Sequence, residues 1–294
     1  MGYKKIVLKA ATLGLGAAGI WAICFERNLF TLRHFRIPVL KKGSKPIRIL
    51  HLSDIHITSC QGGKKNWLQS LAQLKPDFII NTGDNLGHAQ GFGIFCNSMR
   101  SFCGIPGAFV NGSNDYFEPY FKNPFAYLFG HSKTKASAKA LDTDRLRGFL
   151  TGEMKWIDLN NRQSHIRING SVIKLIGVDD PHCGYDKLEE VLPVRGSSDI
   201  VLGLTHAPYR RVLDAYAKSG VHVIFAGHTH GGQVNLFGAL TTNCDLPRFQ
   251  AKGLSGWHSE TSTSWLHVSA GVGTSVYAPF RFACKPEASL IELV

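Results

Sequence analysis

The chain has 294 residues with 44% hydrophobic side chains, enough to bury a sizeable core without disulfide or metal staples. The net charge is +12, but residues 1–50 hold ten Lys or Arg against one acid, Glu26, a balance of +9 that leaves only +3 for the other 244 residues. A nucleic-acid binder spreads basic residues over its folded domain, so a nucleic-acid substrate is not expected; seven cysteines without a CxxC likewise exclude a disulfide framework or a structural zinc site.

Ile6 to Phe25 is apolar apart from Lys9 and Thr12, and the basic residues flank it on both sides. That pattern predicts an uncleaved N-terminal anchor helix over residues 1–25, placing the protein at a membrane with the side left open. Residues 26–46 read as a basic linker passing over the membrane surface, and Pro46 marks entry to a folded domain over 47–294. Ile47–Leu52 reads as a strand, Trp67–Leu74 as a helix, and Phe78–Ile80 and Ala108–Val110 as strands. Gly62-Gly63-Lys64-Lys65 lacks the spacing of a phosphate-binding loop and reads as a turn with solvated lysines. Residues 131–140, rich in Lys, Ser and Ala, read as a surface insertion or lid. Alternation around Asn169-Gly170 predicts a hairpin over His165–Val178. A strand over Ile200–Leu204, a helix over Pro208–Lys218, and strands at Val221–Ala226, Trp265–Ser269 and Ser289–Leu293 complete an alternating α/β chain.

The polar residues that follow these strands carry the chemistry. Asp54 and His56 come after the first strand, Asp84 after the second, Asn114 after the third, His206 after Ile200–Leu204, and His228 and His230 after Val221–Ala226. Singly, each is a common turn, cap or surface residue. Their repetition at strand ends, where open α/β sheets place their sites, points to one centre. Residues i and i+2 of an extended segment point the same way, so each Asp-x-His or His-x-His pair aims two donors at one place. Mixed oxygen and imidazole donors suit Mn, Fe or Zn better than Ca or a thiolate-selected metal.

The motifs Asp54-x-His56, Gly83-Asp84, Gly112-x-x-Asp115, His206 and Gly227-His228-Thr229-His230, in this order, resemble the calcineurin-like metallophosphoesterase family. Gly231-Gly232-Gln233-Val234, Gly271-x-Gly273-Thr274-Ser275 and Pro286-Glu287 resemble its small bacterial membrane-associated branch. The resemblance covers residues 47–294 and implies a four-layer α/β/β/α sandwich. It also implies two divalent ions: Asp54, His56 and His230 on one, Asp84 bridging, and an Asn with His206 and His228 on the other. The implied reaction is attack of a bridging hydroxide on a phosphoester or pyrophosphate, with a small-molecule, nucleotide or lipid-linked substrate.

One motif departs from the family. Where the family reads Gly-Asn-His-Asp/Glu, this chain reads Gly112-Ser113-Asn114-Asp115, and an Asn amide is no general acid. Asn114 is expected to reach the second metal through a shifted backbone, with Ser113 or water as the alternative. His88 and His182 are candidate replacements for the missing proton donor. The same departure supports a competing reading, a catalytically weak metal-binding scaffold of the same fold. The sequence leaves metal identity, mono- or diester preference and oligomeric state open.

Overall fold

The computed structural model describes residues 2–120, 138–194 and 196–294; most of the predicted surface insertion, residues 131–137, lies outside them. Twelve strands run in chain order among the described residues: β1 (Thr31–Ile37), β2 (Ile47–Leu52), β3 (Phe78–Asn81), β4 (Gly107–Phe109), β5 (Ile157–Asp158), β6 (Arg162–Ile168), β7 (Ser171–Gly177), β8 (Ile200–Leu204), β9 (Val223–Ala226), β10 (Gly253–His258), β11 (Thr263–Val268) and β12 (Glu287–Leu293). They form two six-stranded sheets, one ordered β1-β12-β2-β3-β4-β5 and the other β10-β11-β9-β8-β7-β6. The pairs β2 with β3, β3 with β4, β7 with β8 and β8 with β9 are parallel. The predicted hairpin closes through Asn169 and Gly170, both at positive φ (52° and 93°), the left-handed geometry of a two-residue turn.

The helices are α1 (Gly2–Ile20), α2 (Gly62–Ser70), α3 (Phe92–Met99), α4 (Ser113–Tyr116), α5 (Thr143–Gly148), α6 (Leu188–Val191) and α7 (Arg210–Lys218). Period-two alternation in the strands sorts their side chains into layers. Ile47 and Ile49 of β2, Phe78 and Ile80 of β3, Ile200, Leu202 and Leu204 of β8, and Val223 and Phe225 of β9 meet between the sheets. Each fully buried side chain of this kind contributes about 1.5–3 kcal/mol. Leu50, Leu52 and Ile79 point the other way, into a layer shared with Leu68 of α2 and Phe95 and Met99 of α3. Val201 and Ile224 pack outward with Val212, Leu213, Tyr216 and Ala217, the helical-period apolar face of α7. Helices thus cover the outer face of each sheet.

The N-terminal expectation is overturned. No helix among the described residues is long and apolar enough to cross a membrane, so neither the anchor helix nor the placement at a bacterial membrane stands. The 19-residue helix α1 includes Lys4, Lys5 and Lys9 in its own sequence. The rest of the apolar run leaves the regular helix: Trp21–Phe25 is a π-type turn and Glu26–Asn28 a 3-10 turn, and both bond to the domain. The Arg281 N–H donates to the Ala22 carbonyl at 3.1 Å, and the Cys284 N–H to Glu26 Oε1 at 2.6 Å. Residues expected as a linker also belong to the sheet, because β1 runs parallel to β12 as an edge strand. Arg33 and Arg36 face Glu287 and Glu292 across that edge, each pair at 3.5 Å. All seven cysteines are free, Cys96 and Cys103 included.

Between the sheets lies the buried pair His51 and His267, with Nδ1 atoms 2.9 Å apart and His51 Nε2 2.9 Å from Thr82 Oγ1. Burial pushes His267 down to about 3, and burial together with His267 holds His51 well below the usual imidazole range. An unfolded His binds a proton below about pH 6.5, whereas folded His267 stays neutral until about pH 3. The stability tied to His267 is therefore complete above about pH 6.5 and is lost as pH falls, by about 2 kcal/mol at pH 5. Urea unfolding at pH 7 and pH 5 is expected to show a smaller acid loss in His267→Gln than in the wild type; identical losses would contradict this.

Candidate metal centre

The two sheets bring the C-terminal ends of β2, β3, β4, β8 and β9 to one place, and the predicted ligands stand there. Asp84 Oδ2 lies 3.3 Å from His56 Nε2 and 3.5 Å from His206 Nε2, so one carboxylate oxygen sits between two imidazoles. His230 Nε2 is 3.6 Å from Asp54 Oδ1. One donor atom each from Asp54, His56 and His230, and likewise from Asp54, Asp84 and His206, lie within 4.8 Å of one another. His228 Nδ1 completes the cluster, 3.3 Å from His206 Nε2.

Each ligand is held from behind. Asp54 Oδ2 accepts from Ser53 Oγ at 2.6 Å, the His228 N–H is shared between Oδ2 at 3.0 Å and Oδ1 at 3.1 Å, and Oδ1 faces His230. His206 Nδ1 lies 2.6 Å from the Thr82 carbonyl, which fixes Nε2 as the atom facing the cluster. His228 Nε2 lies 3.3 Å from the Asn243 carbonyl, which leaves Nδ1 facing inward. Asp54, His56, Asp84, His228 and His230 all have positive φ, from 42° to 68°. Non-glycine residues seldom occupy this region, and such strain gathers at functional sites. Close approach is required at Gly227, where an added Cβ would stand 1.9 Å from Ser53 Oγ and 2.4 Å from Asp54 Oδ2.

The electrostatics are those of a site built for cations. Burial pushes Asp54 up to about 6. Burial also opposes charge on Asp84, but His206 beside it wins and holds its carboxyl well below the usual range. His206 is the reciprocal case, raised by Asp84 against the effect of burial. Burial lowers His56 to about 4 and keeps His228 and His230 well below their ordinary value, so these rings are neutral and their lone pairs available. Both ring nitrogens of His56 are buried without a hydrogen-bond partner. A metal ion among the imidazoles and carboxylates would take Nε2 of that ring, the nitrogen facing Asp84, and the mixed N/O donor set fits Mn, Fe or Zn.

The remaining candidates separate. Asn114 lines the cleft over the cluster; its main-chain N–H donates to Asp84 Oδ1 at 2.7 Å and its Nδ2 to the Phe117 carbonyl at 3.1 Å. His182 lines the same cleft, its ring 4.6 Å from that of His228 and its Nδ1 3.0 Å from Tyr209 Oη. Asp180 accepts the N–H groups of His182 and Cys183, forming the turn that presents His182. His88 is half-buried and is not among the residues lining the cleft.

Three contributors were not expected from the sequence. Asn243 backs His228 from a loop fifteen positions away. Arg281 reaches the His230 carbonyl. Lys64, expected as solvated, is buried inside α2, donates to the Ile55 carbonyl at 2.8 Å and is pushed by burial down to about 7. The pair of glycines before it hides that role, because the partners belong to another segment.

The chain belongs to the calcineurin-like phosphoesterase family, whose model matches residues 47–232. It is a metallophosphoesterase, a hydrolase of phosphoric esters. It is 29% identical over 297 residues to the uncharacterized metallophosphoesterase YkuE of Bacillus subtilis (strain 168), covering 97% of this chain and 93% of that protein. It is 26% identical over 267 residues to the uncharacterized protein YpbG of the same organism, covering 89% and 87%. Among solved structures, TT1561 of Thermus thermophilus matches 78% of this chain and 91% of its own with a TM-score of 0.44 and 13% identity.

Proposed function

We propose that the chain hydrolyses a phosphoester through two divalent ions, one held by Asp54, His56 and His230, the other by His206, His228 and the side-chain amide of Asn114, with Asp84 shared. When bound, such ions polarise phosphoryl oxygens and make a water nucleophilic at neutral pH. The observation that carries this reading is the approach of the His56 and His206 rings, from the ends of β2 and β8, to Asp84 Oδ2 at the end of β3, with the His56 ring buried and without a hydrogen-bond partner. Asp84 supplies the central negative charge, and the Asn114 N–H fixes its other oxygen. His206 is aimed from behind by the Thr82 carbonyl, which sets the tautomer it presents, and Asn243 holds His228 from behind at Nε2.

Substrate sits in the cleft above, a cavity of about 170 Å³ with Phe117, Val234, Leu240 and Phe280 on its walls. Those walls favour a small phosphoester whose leaving group carries an apolar portion. Among the described residues His182 is the one imidazole lining the cleft outside the ligand cluster, and it is assigned as the proton donor to the leaving group. His182→Ala is expected to slow an alkyl phosphodiester about 10²-fold or more while sparing a p-nitrophenyl ester, whose leaving group needs no proton. Equal losses on the two substrates would remove His182 from this role.

The whole reading is tested by metal content and turnover of a chromogenic phosphodiester. Two ions per chain and turnover that chelator abolishes are expected. Two bound ions without turnover would favour the competing scaffold reading, and no bound ion would exclude both.

A further inference from the structure

Arg281 is fully buried, the largest side chain with so little exposure in the described fold. Its guanidinium donates to five main-chain carbonyls. Nε and Nη2 reach Gly273 O at 3.2 and 2.5 Å, and Nη2 also reaches Ala270 O at 2.6 Å and Gly271 O at 3.0 Å. Nη1 reaches His230 O at 3.3 Å and Cys284 O at 3.2 Å. A planar fork with five N–H groups is the side chain able to make this set; a Lys ammonium has three donors and no plane.

Four of the carbonyls belong to two segments that meet at one half of the metal centre, and the fifth, Cys284 O, lies three residues beyond Arg281 itself. Residues 270–273 lie against Asp54: the Gly273 N–H donates to the Asp54 carbonyl at 2.6 Å, the Val272 N–H to Ser53 O at 3.0 Å, and a Cβ on Gly271 would stand 2.6 Å from Asp54 Cβ. The other segment is His230 itself. Arg281 therefore ties the segment packed on Asp54 to the backbone of His230, and the side chains of Asp54 and His230 face each other at 3.6 Å. The hydrogen bonds of Arg281 do not include His206 or His228.

The clamp continues into the N-terminal segment. Glu26 is buried, accepts the Cys284 N–H at 2.6 Å through Oε1 and the Trp21 indole N–H at 2.9 Å through Oε2. The Arg281 main-chain N–H in turn donates to Ala22 O. Residues 21–26 thus hold Arg281 and Cys284 from the side away from the metal centre.

We propose that Arg281 is a positioning residue for the Asp54–His56–His230 metal site alone, and that Glu26 supports it by tying the N-terminal segment into the same clamp. This rests on the two-metal reading. Loss of a group that only orients a ligand weakens metal binding by about 10–100-fold, and here the loss falls on one site of two.

The test is Mn²⁺ titration of the full chain followed by EPR, with near-UV circular dichroism of the metal-free protein to establish folding. The wild type is expected to take up two ions and give a spin-coupled signal. Arg281→Met is expected to bind the first ion nearly as the wild type does and the second about 10–100-fold more weakly, giving an uncoupled six-line signal, with Arg281→Lys intermediate. Combined with His228→Ala, which disables the other site, Arg281→Met should weaken the remaining binding by the same factor of about 10–100; combined with His56→Ala it should add nothing. Glu26→Ala should give a smaller weakening with the same selectivity, and it decides the matter if Arg281→Met fails to fold. Equal weakening of both sites, or two sites of wild-type affinity in a folded variant, would overturn the proposal. A wild type that binds no pair would remove the two-metal reading and the proposal with it, an outcome told apart by the wild-type arm.

Discussion

Asp84→Asn is expected to leave a folded chain that has lost its metal pair and nearly all phosphoesterase activity. Asp84 Oδ2 is the atom between His56 and His206, and Oδ1 already accepts the Asn114 N–H. The amide substitute keeps an oxygen for Asn114 but turns an uncharged NH₂ toward the two imidazoles. The fall in kcat/KM should exceed the roughly 10–100-fold typical of removing a partner that merely orients a ligand. Folding should survive, because burial chiefly and Asp84 secondarily push Asp115 up to about 7, and removing Asp84 relieves that repulsion. Metal analysis, phosphodiester turnover and near-UV circular dichroism on one preparation check all three statements. Retention of both metal and activity would discard the role given to Asp84.

The second large effect is expected at Asp115, which is not among the residues lining the cleft but shapes the loops beneath it. Fully buried, its Oδ2 accepts the N–H groups of Asp84 at 2.8 Å and Gly112 at 2.9 Å, and its Oδ1 accepts that of Asn85 at 2.8 Å. Asp115→Ala leaves three buried amides without an acceptor, at about 1–3 kcal/mol each, so a loss of at least about 3 kcal/mol is expected in urea unfolding. Asp115→Asn retains one acceptor oxygen and should lose less. Because Asp84 and Gly112 are both displaced, metal affinity should fall along with stability. A variant of wild-type stability would show that these amides find other partners.

The sequence made the centre legible for a physical reason. Short apolar runs such as Phe78–Ile80 and Ile200–Leu204 are buried on both faces, and the polar residues that stop them lie at one rim of the sheets. Asp54, His56, Asp84, His206, His228 and His230 follow from that pattern alone. What stayed hidden depends on partners remote in sequence. Arg281 is a single charge in an apolar stretch, and its acceptors reach back to His230. Lys64 follows two glycines and resembles any surface turn, while its acceptors lie on the loop after β2. Strand β1 escaped because Arg33, His34 and Arg36 break its apolar pattern, as suits a half-exposed edge.

The N-terminal misreading has the same origin in the opposite sense. Hydropathy summed over Ile6–Phe25 suggested one continuous span, but the run is divided between a lysine-bearing helix and turns bonded to the domain. The departure at Ser113-Asn114 was legible as a departure. Its consequence was not, because main-chain contact between Asn114 and Asp84 depends on the turn at α4.

Sharing of Asp84 by two metal ions is tested by anomalous scattering from crystals grown with Mn²⁺. Two anomalous peaks are expected on either side of the Asp84 carboxylate, one against Asp54, His56 and His230 and the other against His206 and His228. A single peak, or peaks away from Asp84, would contradict such sharing.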